Sequence, residues 1–225
     1  MISLPLYIPI LFGLTTMLTV YLFFKASHNS VITILILLGW LILQGIVTLT
    51  GFYAFTKSTP PRFILLGLPA LITIILFFVF PKGRKYIDSL DPGTLTLLHT
   101  VRVAVELVLF CLYINKTIPQ LMTFEGRNFD IVSGLTAPLV YYFGFVNKRL
   151  STSAMLIWNV TCIGLLINVV VNAILSVPFS FQQFGFEQPN IAVLYFPFTW
   201  LPCCVVPLVL FAHLATIRHL LKKNI

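Results

Sequence analysis

Three ionisable side chains lie in the middle of the apolar stretch Thr94–Ile114: His99, Arg102 and Glu106. Their spacing of i, i+3 and i+7 places them within about 60° of arc on an α-helix. Tyr113 falls on the same helix face. An imidazole, a guanidinium, a carboxyl group and a phenol on one face could bind an ion or a polar ligand, or pass a proton.

The stretch is long enough to cross a bilayer. The free-energy cost of placing charged groups in lipid then requires that this face be shielded from lipid. Arg costs about 2.5–3.5 kcal/mol at the centre of a membrane helix, and Glu a similar amount. The apolar Leu, Ile, Val and Phe residues return about 0.3–0.6 kcal/mol each, or about 4–7 kcal/mol together. Because the two sums nearly cancel, we expect the polar face to turn toward other helices.

Three interpretations of this face remain open at the level of sequence. An Arg102–Glu106 pair one turn apart could serve helix packing alone. The face could instead form a substrate, ion or proton site, because ionisable groups inside membranes commonly mark such sites. A catalytic site is the third interpretation, and the sequence assigns no catalytic residue.

Polar residues in two other apolar stretches could join the same site. Gln44 lies on a polar stripe in the second stretch, and Asn168 and Asn172 share one in the sixth, whereas Asn159 points the opposite way. At a rise of ~1.5 Å per residue, Glu106 and Gln44 lie about 18–20 Å from the same side of the membrane. A shared polar interior at mid-membrane is therefore predicted.

A second polar cluster follows the fourth apolar stretch and contains Glu125, Arg127, Asn128 and Asp130. We interpret it first as an interfacial turn in which Asp130 caps the next helix through its N-terminal amides. The alternative is a ligand-recognition loop. In an enzyme acting on a lipid or isoprenoid, Glu125 and Asp130 would be acid and base, and Arg127 would hold a headgroup.

Composition predicts the element type that carries these residues. Hydrophobic residues make up 59% of the 225-residue chain and charged residues 9%, against about a quarter charged in soluble domains. The net charge of +8 comes from basic residues scattered between long apolar runs, a distribution that argues against nucleic-acid binding. The runs are continuous rather than alternating, which favours helices over a β-barrel.

The predicted fold is therefore an all-α, polytopic transmembrane helical bundle forming a single domain over residues 1–225, with the lipid bilayer as its partner. We predict seven spans, the fifth being short: residues 3–24, 31–55, 63–80, 94–114, 130–146, 153–176 and 191–216. The last span should be kinked, because each of Pro197, Pro202 and Pro207 removes a backbone donor.

Basic residues in the short connections predict the orientation. One face of a seven-span bundle receives four of them, namely Lys57, Arg62, Lys116 and Arg127. The other receives nine, namely Lys25, Lys82, Arg84, Lys85, Lys148, Arg149, Arg218, Lys222 and Lys223. The bias places the N-terminus outside and the C-terminus in the cytoplasm, in a plasma or inner membrane.

Motif absences narrow the functions further. No span carries a central Lys for a retinal Schiff base, and the sequence has no H-E-x-x-H zinc motif, P-loop or G-x-S-x-G elbow. It predicts no metal site and specifies no cofactor. The preferred function is a small transporter or ligand-binding membrane protein for a small molecule, ion or lipid. The alternatives are the lipid or isoprenoid enzyme and an assembly or signalling module without chemistry.

Overall fold

The computed structural model describes residues 4–56, 58 and 60–223, and this part of the chain is all α. Its nine α-helices are α1 Tyr7–Ala26, α2 Val31–Leu49, α3 Ile64–Val79, α4 Pro81–Ser89, α5 Pro92–Leu98, α6 Val101–Ile114, α7 Ile131–Tyr141, α8 Thr152–Leu175 and α9 Val206–Lys223. Two π-helical segments, Tyr142–Val146 and Leu201–Val205, continue α7 and precede α9. Two predicted positions, Ser3 in the first span and Lys57 in the charge count, lie outside the described residues.

Five helical units in the described part of the chain are long and apolar enough to cross a membrane. They are α1, α2, the α5–α6 unit Pro92–Ile114, α8 and the last unit Leu201–Lys222. A sixth span results if α3 and α4 are counted together. The predicted all-α membrane-type fold is confirmed at this level, whereas the count of seven and the orientation stay predictions.

The third predicted span is followed by a sharp bend. The axes of α3 and α4 differ by 94°, and α4 begins at Pro81, which favours a helix start because its missing N–H would be unpaired there. Lys82, Arg84 and Lys85 of α4 are exposed, while Ile87 is buried. The helix α4 is therefore amphipathic, as expected of a helix lying along the membrane surface rather than crossing it.

The last predicted span begins later than expected. Residues 191–199 form the short 3-10 turn Ala192–Leu194 and irregular turns, and the helical span starts near Leu201. Its first turn is a π-helix that contains Pro202. The π-helical turn fits the missing N–H of Pro202, and the predicted kink of this span stays a prediction.

The fifth predicted span is short because α7 starts inside the bundle. A Cβ placed on Gly134 of α7 would lie 2.8 Å from the Val103 backbone nitrogen, so these helices touch at the level of Arg102. Arg102 is twelve residues from Ile114, or about 18 Å along the axis. The chain therefore returns from the Ile114 end to this depth before α7 begins.

The returning segment, residues 115–130, is irregular apart from one 3-10 turn, and it is partly buried within the protein. Ile118 and Met122 are 0% and 1% exposed and pack with α1 and α6 in one apolar core cluster. Its backbone is tied by turns, such as the Thr117 N–H donating to the Leu112 carbonyl at 3.0 Å. Non-helical backbone at membrane depth is tolerated where protein covers it, which is the situation here.

Candidate functional site

Arg102 is the centre of a buried polar cluster where α6, α7, α8 and α9 meet. Its Nε donates to Asp130 Oδ2 at 2.6 Å, and its Nη2 donates to Asp130 Oδ1. Nη2 also donates to the Cys162 carbonyl at 3.2 Å, and Nη1 contacts His213 Nε2 at 2.9 Å. Arg102 is 2% exposed and Asp130 5%. The guanidinium charge is thus matched by one carboxylate in a two-point contact.

His213 extends the cluster toward α8. Because a guanidinium can only donate, the Nε2 atom of His213 that faces Arg102 must accept, and the ring proton lies on Nδ1. That nitrogen is 2.8 Å from Asn159 Oδ1, which accepts the bond. The Asn159 amide in turn donates to the Met155 carbonyl at 2.9 Å. This chain fixes the tautomer of His213 and the orientation of the Asn159 amide.

His99 lies against His213 rather than in the hydrogen-bonded chain. The two imidazole rings stack with centroids 3.6 Å apart and an interplanar angle of 14°. Trp158 packs against both rings with centroids 5.6 Å away. His99 is fully buried, and neither of its ring nitrogens has a hydrogen-bond partner among the described residues. It is therefore held by stacking alone.

Glu106 lies one turn along α6 from Arg102 but is bonded differently. Its Oε1 accepts from the Asn128 amide at 2.5 Å, and the same amide donates to the Met122 carbonyl at 3.0 Å. Asn128 Oδ1 accepts the Asp130 backbone N–H at 3.0 Å. Asn128 thereby links Glu106 to the start of α7. Glu106 Oε2, by contrast, is buried and has no partner in the described part of the chain.

A cavity of about 660 Å³ borders this end of the cluster. Its walls come from α3, α6, α8 and α9 and are almost entirely apolar, with Glu106, Asp130 and Asn190 among the few polar lining residues. Ile64 and Leu68 of α3 and Ile167 of α8 line it and are also exposed on the protein surface. The cavity therefore extends from the buried cluster to the apolar outside of the bundle.

Asn190 provides the second unpartnered polar atom of this cavity. Its amide nitrogen donates to the Ala173 carbonyl at 3.1 Å, and its backbone N–H donates to the Ser176 carbonyl at 2.8 Å. Its Oδ1 is buried without a partner among the residues described. The residue is 0% exposed, so this unpartnered oxygen lies in the protein interior and not at its surface.

Comparison with known proteins gives one match. The model of a family described as "Domain of unknown function (DUF8737)" matches residues 60–221. The chain belongs to this family. No curated protein and no solved structure matches it. The DUF8737 match runs from α3 to α9, so it contains every residue of the polar cluster and leaves out α1 and α2.

Within the DUF8737 region, the structure brings the two polar clusters predicted from sequence together. Arg102 and Glu106 from the fourth predicted span bond to Asp130 and Asn128 from the loop after it, and His99 joins the cluster by stacking on His213. The interpretation of an Arg102–Glu106 pair is wrong, because Arg102 pairs with Asp130. The capping role of Asp130 is also wrong, because its side chain makes no capping bond to α7. The fold of residues 115–130 brings Asp130 to Arg102 instead.

The other predicted site residues lie elsewhere. Gln44 accepts from the Tyr53 hydroxyl at 2.6 Å on α2, and the structure shows no contact between it and the cluster. Asn172 donates to Asn168 at 3.3 Å, and Asn168 donates to the Arg127 carbonyl at 2.7 Å, so this pair anchors the returning segment to α8. Three further predicted residues are outside the cluster: the exposed Glu125 and Arg127, and the half-buried Tyr113.

Sequence reasoning missed three residues of the site: His213, Asn159 and Asn190. His213 falls near the end of the predicted span 191–216, and the observed helix extends to Lys223, which moves His213 toward its middle. Asn159 faces away from the Asn168 stripe, and this opposite face is the one that α9 covers. Asn190 lies in a connection between helices, where an amide gives no periodic signal.

Among the described residues, no group of three or more His, Cys, Asp or Glu could hold a metal ion.

Proposed function

We propose that this chain is an integral membrane protein that binds a small apolar molecule in the cavity between α3 and α8, with Glu106 as its polar contact. The observation that carries the proposal is the unpartnered Glu106 Oε2 in a wall that is otherwise almost entirely apolar. Pockets for small molecules typically combine apolar walls with a few well-placed polar groups. The volume of about 660 Å³ is in the range of such pockets.

A role in packing alone does not account for this part of the cluster. Buried polar groups in proteins are normally hydrogen-bonded, because an unpaired one costs about 1–3 kcal/mol. Arg102 and Asp130 follow that rule completely. Glu106 and Asn190 do not, although both are buried and both line the same cavity. Ligand binding would supply the missing partners.

The remaining residues receive supporting roles in this proposal. Asp130 engages Arg102 with both carboxylate oxygens and positions Asn128 through its backbone N–H. Asn128 then orients Glu106. His99 lies stacked on His213, which contacts Arg102, and supports the cluster through that contact. The protein would work in a plasma or inner membrane, with its C-terminus in the cytoplasm.

The acid and base of the enzyme alternative lie in different surroundings. Asp130 is saturated by Arg102, whereas Glu125 is exposed to the outside of the bundle. A general acid–base pair requires both groups within reach of one substrate proton. The structure therefore favours binding or transport over that enzymatic role.

Photolabelling tests the proposal. The purified protein in phosphatidylcholine nanodiscs would be labelled with a photoreactive neutral long-chain alcohol, and the modified peptides identified by mass spectrometry. We expect labelling of the cavity faces of α3 and α8. The Gly67→Trp variant should lose most of this labelling, because Gly67 lines the cavity and a Cβ there meets only the Pro202 carbonyl, at 3.7 Å.

Gly164→Trp is the matched control, because Gly164 is exposed on α8 and a Cβ there meets nothing within 4 Å. Its labelling should equal that of the parent protein. Labelling that ignores Gly67→Trp, or that avoids both cavity walls, would overturn the proposed function.

A further inference from the structure

The free polar atoms of the α3–α8 cavity are both oxygens. They are Glu106 Oε2 and Asn190 Oδ1, and each is buried without a partner in the described part of the chain. Asp130, which also lines the cavity, directs both of its oxygens to Arg102. The free groups are therefore one amide oxygen, which accepts, and one carboxyl oxygen, which accepts when the group is ionised.

The hydrogen-bond pattern fixes which atom of each amide is free. Asn190 must direct its nitrogen to the Ala173 carbonyl, because a carbonyl oxygen cannot donate, and this leaves Oδ1 without a partner among the described residues. Asn128 must likewise direct its nitrogen to the Met122 carbonyl, and the same nitrogen serves Glu106 Oε1. Its oxygen is taken by the Asp130 backbone N–H. Asn128 therefore has no amide donor left for a ligand, whereas Asn190 keeps one N–H that has no partner among the described residues.

Charge favours a cationic group next to Glu106. The Arg102 guanidinium is balanced by Asp130, and His213 accepts a bond from Arg102, so it is neutral. An ionised Glu106 would then lack a partner of opposite charge, which is unfavourable in an apolar interior. Protonation removes this cost in the empty cavity, and a bound cation removes it while keeping the carboxylate ionised. A metal ion such as Ca²⁺ or Mg²⁺ would need about six oxygen ligands, whereas an ammonium group is satisfied by up to three acceptors.

The shape of the cavity limits the rest of the ligand. Asn168 lies level with Arg127, next to Asn128 and Glu106, while Asn190 is bonded five residues further along α8, at Ala173. At 1.5 Å per residue, the two free oxygens are offset by roughly 7–8 Å along the bundle. Apolar side chains occupy most of the wall, and the cavity reaches the outside of the bundle. An elongated apolar body fits this arrangement.

We infer that the ligand of this cavity is an amphiphilic amine. Its protonated amine binds Glu106 Oε2, its apolar body lies between α3 and α8, and a second donor, where the ligand has one, binds Asn190 Oδ1. This inference rests on the proposed function, because it names the class of molecule that the same cavity takes.

Competition with the photoreactive alcohol tests the inference. Dodecylamine, dodecanol and dodecanoic acid share one chain and differ in the head group. In zwitterionic nanodiscs at neutral pH, we expect dodecylamine to reduce labelling of the α3 and α8 peptides by half at a concentration at least tenfold below that of the other two. Equal competition by dodecanol, or stronger competition by dodecanoic acid, would overturn the amine assignment.

Two variants sharpen the test. Glu106→Gln keeps an oxygen for the Asn128 amide but removes the charge, so it should abolish the preference for the amine. Glu187→Gln makes the same chemical change at an exposed position and should leave the preference unchanged. If Glu106→Gln does not fold, the comparison of the three compounds on the parent protein still decides the inference.

The two proposals fail in different ways. If labelling maps to the cavity and is blocked by Gly67→Trp, but the amine has no advantage, the cavity binds ligands and only the ligand class is wrong. If labelling is insensitive to Gly67→Trp, the proposed function itself is wrong.

Discussion

Two arginine–aspartate pairs in this protein have the same two-point geometry and opposite surroundings. Arg102 and Asp130 meet in the interior, with side chains 3% and 7% exposed. Arg218 of α9 and Asp88 of α4 meet at the end of the bundle through bonds of 2.7 and 3.1 Å, with side chains 25% and 26% exposed. Because the geometry is the same, the two pairs show how burial changes the free-energy cost of breaking an ion pair.

The exposed pair has water as an alternative partner, and the buried pair does not. Breaking a surface pair therefore returns each group to solvent at a cost of about 0–1 kcal/mol. Breaking a buried pair leaves one charge uncompensated and costs about 3–5 kcal/mol. Glu106 is the third case: it is buried like Asp130, but among the described residues no cation is its direct partner. The proposed ligand site depends on this difference.

The largest expected effect is that of Asp130→Asn. It removes the counter-charge of Arg102 and should lower the free energy of unfolding by about 3–5 kcal/mol. Thermal unfolding in detergent, followed by circular dichroism, measures it. The double variant Arg102→Met plus Asp130→Leu should recover most of the loss, since no charge is left unpaired. If Asp130→Asn were as stable as the parent, water would have to reach Arg102 and solvate its charge.

Gly134→Ala should have the next largest effect. The added Cβ would lie 2.8 Å from the Val103 backbone nitrogen and 3.3 Å from Arg102 Cβ, so α6 and α7 must separate. Overpacking of this kind costs about 1–3 kcal/mol. The same unfolding assay applies, with Gly13→Ala as control, because a Cβ there meets nothing within 4 Å. Equal stability of the two variants would contradict the tight contact.

Glu106→Gln should change stability by less than about 1 kcal/mol, although Glu106 is as buried as Asp130. The amide oxygen can still accept from Asn128, and no cation loses its partner. Unfolding in detergent tests this expectation. A loss similar to that of Asp130→Asn would show that Glu106 is needed to balance Arg102.

The smallest effect is expected at Asp88. Its hydrogen bond from Arg218, supported by Lys222, lowers the pKa of Asp88 from its usual 3.8 to about 2. A lowered pKa stabilises the folded state above the unfolded value, and the contribution is lost as pH falls from about 4 through 2. Asp88→Asn should cost at most about 1 kcal/mol at pH 7. The difference between parent and variant in unfolding temperature should shrink across this acidic range, and a difference that grows would contradict the pair.

Sequence predicted well what depends on local composition. Continuous apolar runs predicted α1, α2 and α8, because a helix of about 20 apolar residues is the simplest way to cross lipid. The bounds of α8 were predicted to within one residue, whereas α1 begins four residues later than predicted and α2 ends six residues earlier. The energy of Arg102 and Glu106 in lipid also predicted correctly that their face is buried. In both cases the transfer free energy that decides the structure depends on the residues of one segment alone.

Sequence failed where partners depend on how the chain returns. Arg102 was paired with Glu106 because they are four residues apart, whereas the observed partner, Asp130, is twenty-eight residues away and is brought there by the returning segment 115–130. An irregular segment has no period to reveal its depth. His213 and Asn159 were missed for the same reason, since helix rotation in a bundle is set by tertiary packing.

The depth at which α7 begins also constrains how the chain is made. When Ile114 has just been synthesised, the fourth predicted span holds its arginine without a counter-ion, and insertion into lipid is close to balanced. The Asp130 carboxylate, which pairs with this arginine, is synthesised sixteen residues after Ile114. It lies at the start of α7, a helix too short to cross the membrane by itself. The two segments must therefore enter the bilayer as one cooperative unit, and ribosome-bound chains stopped before and after residue 130 should differ sharply in resistance to alkaline extraction.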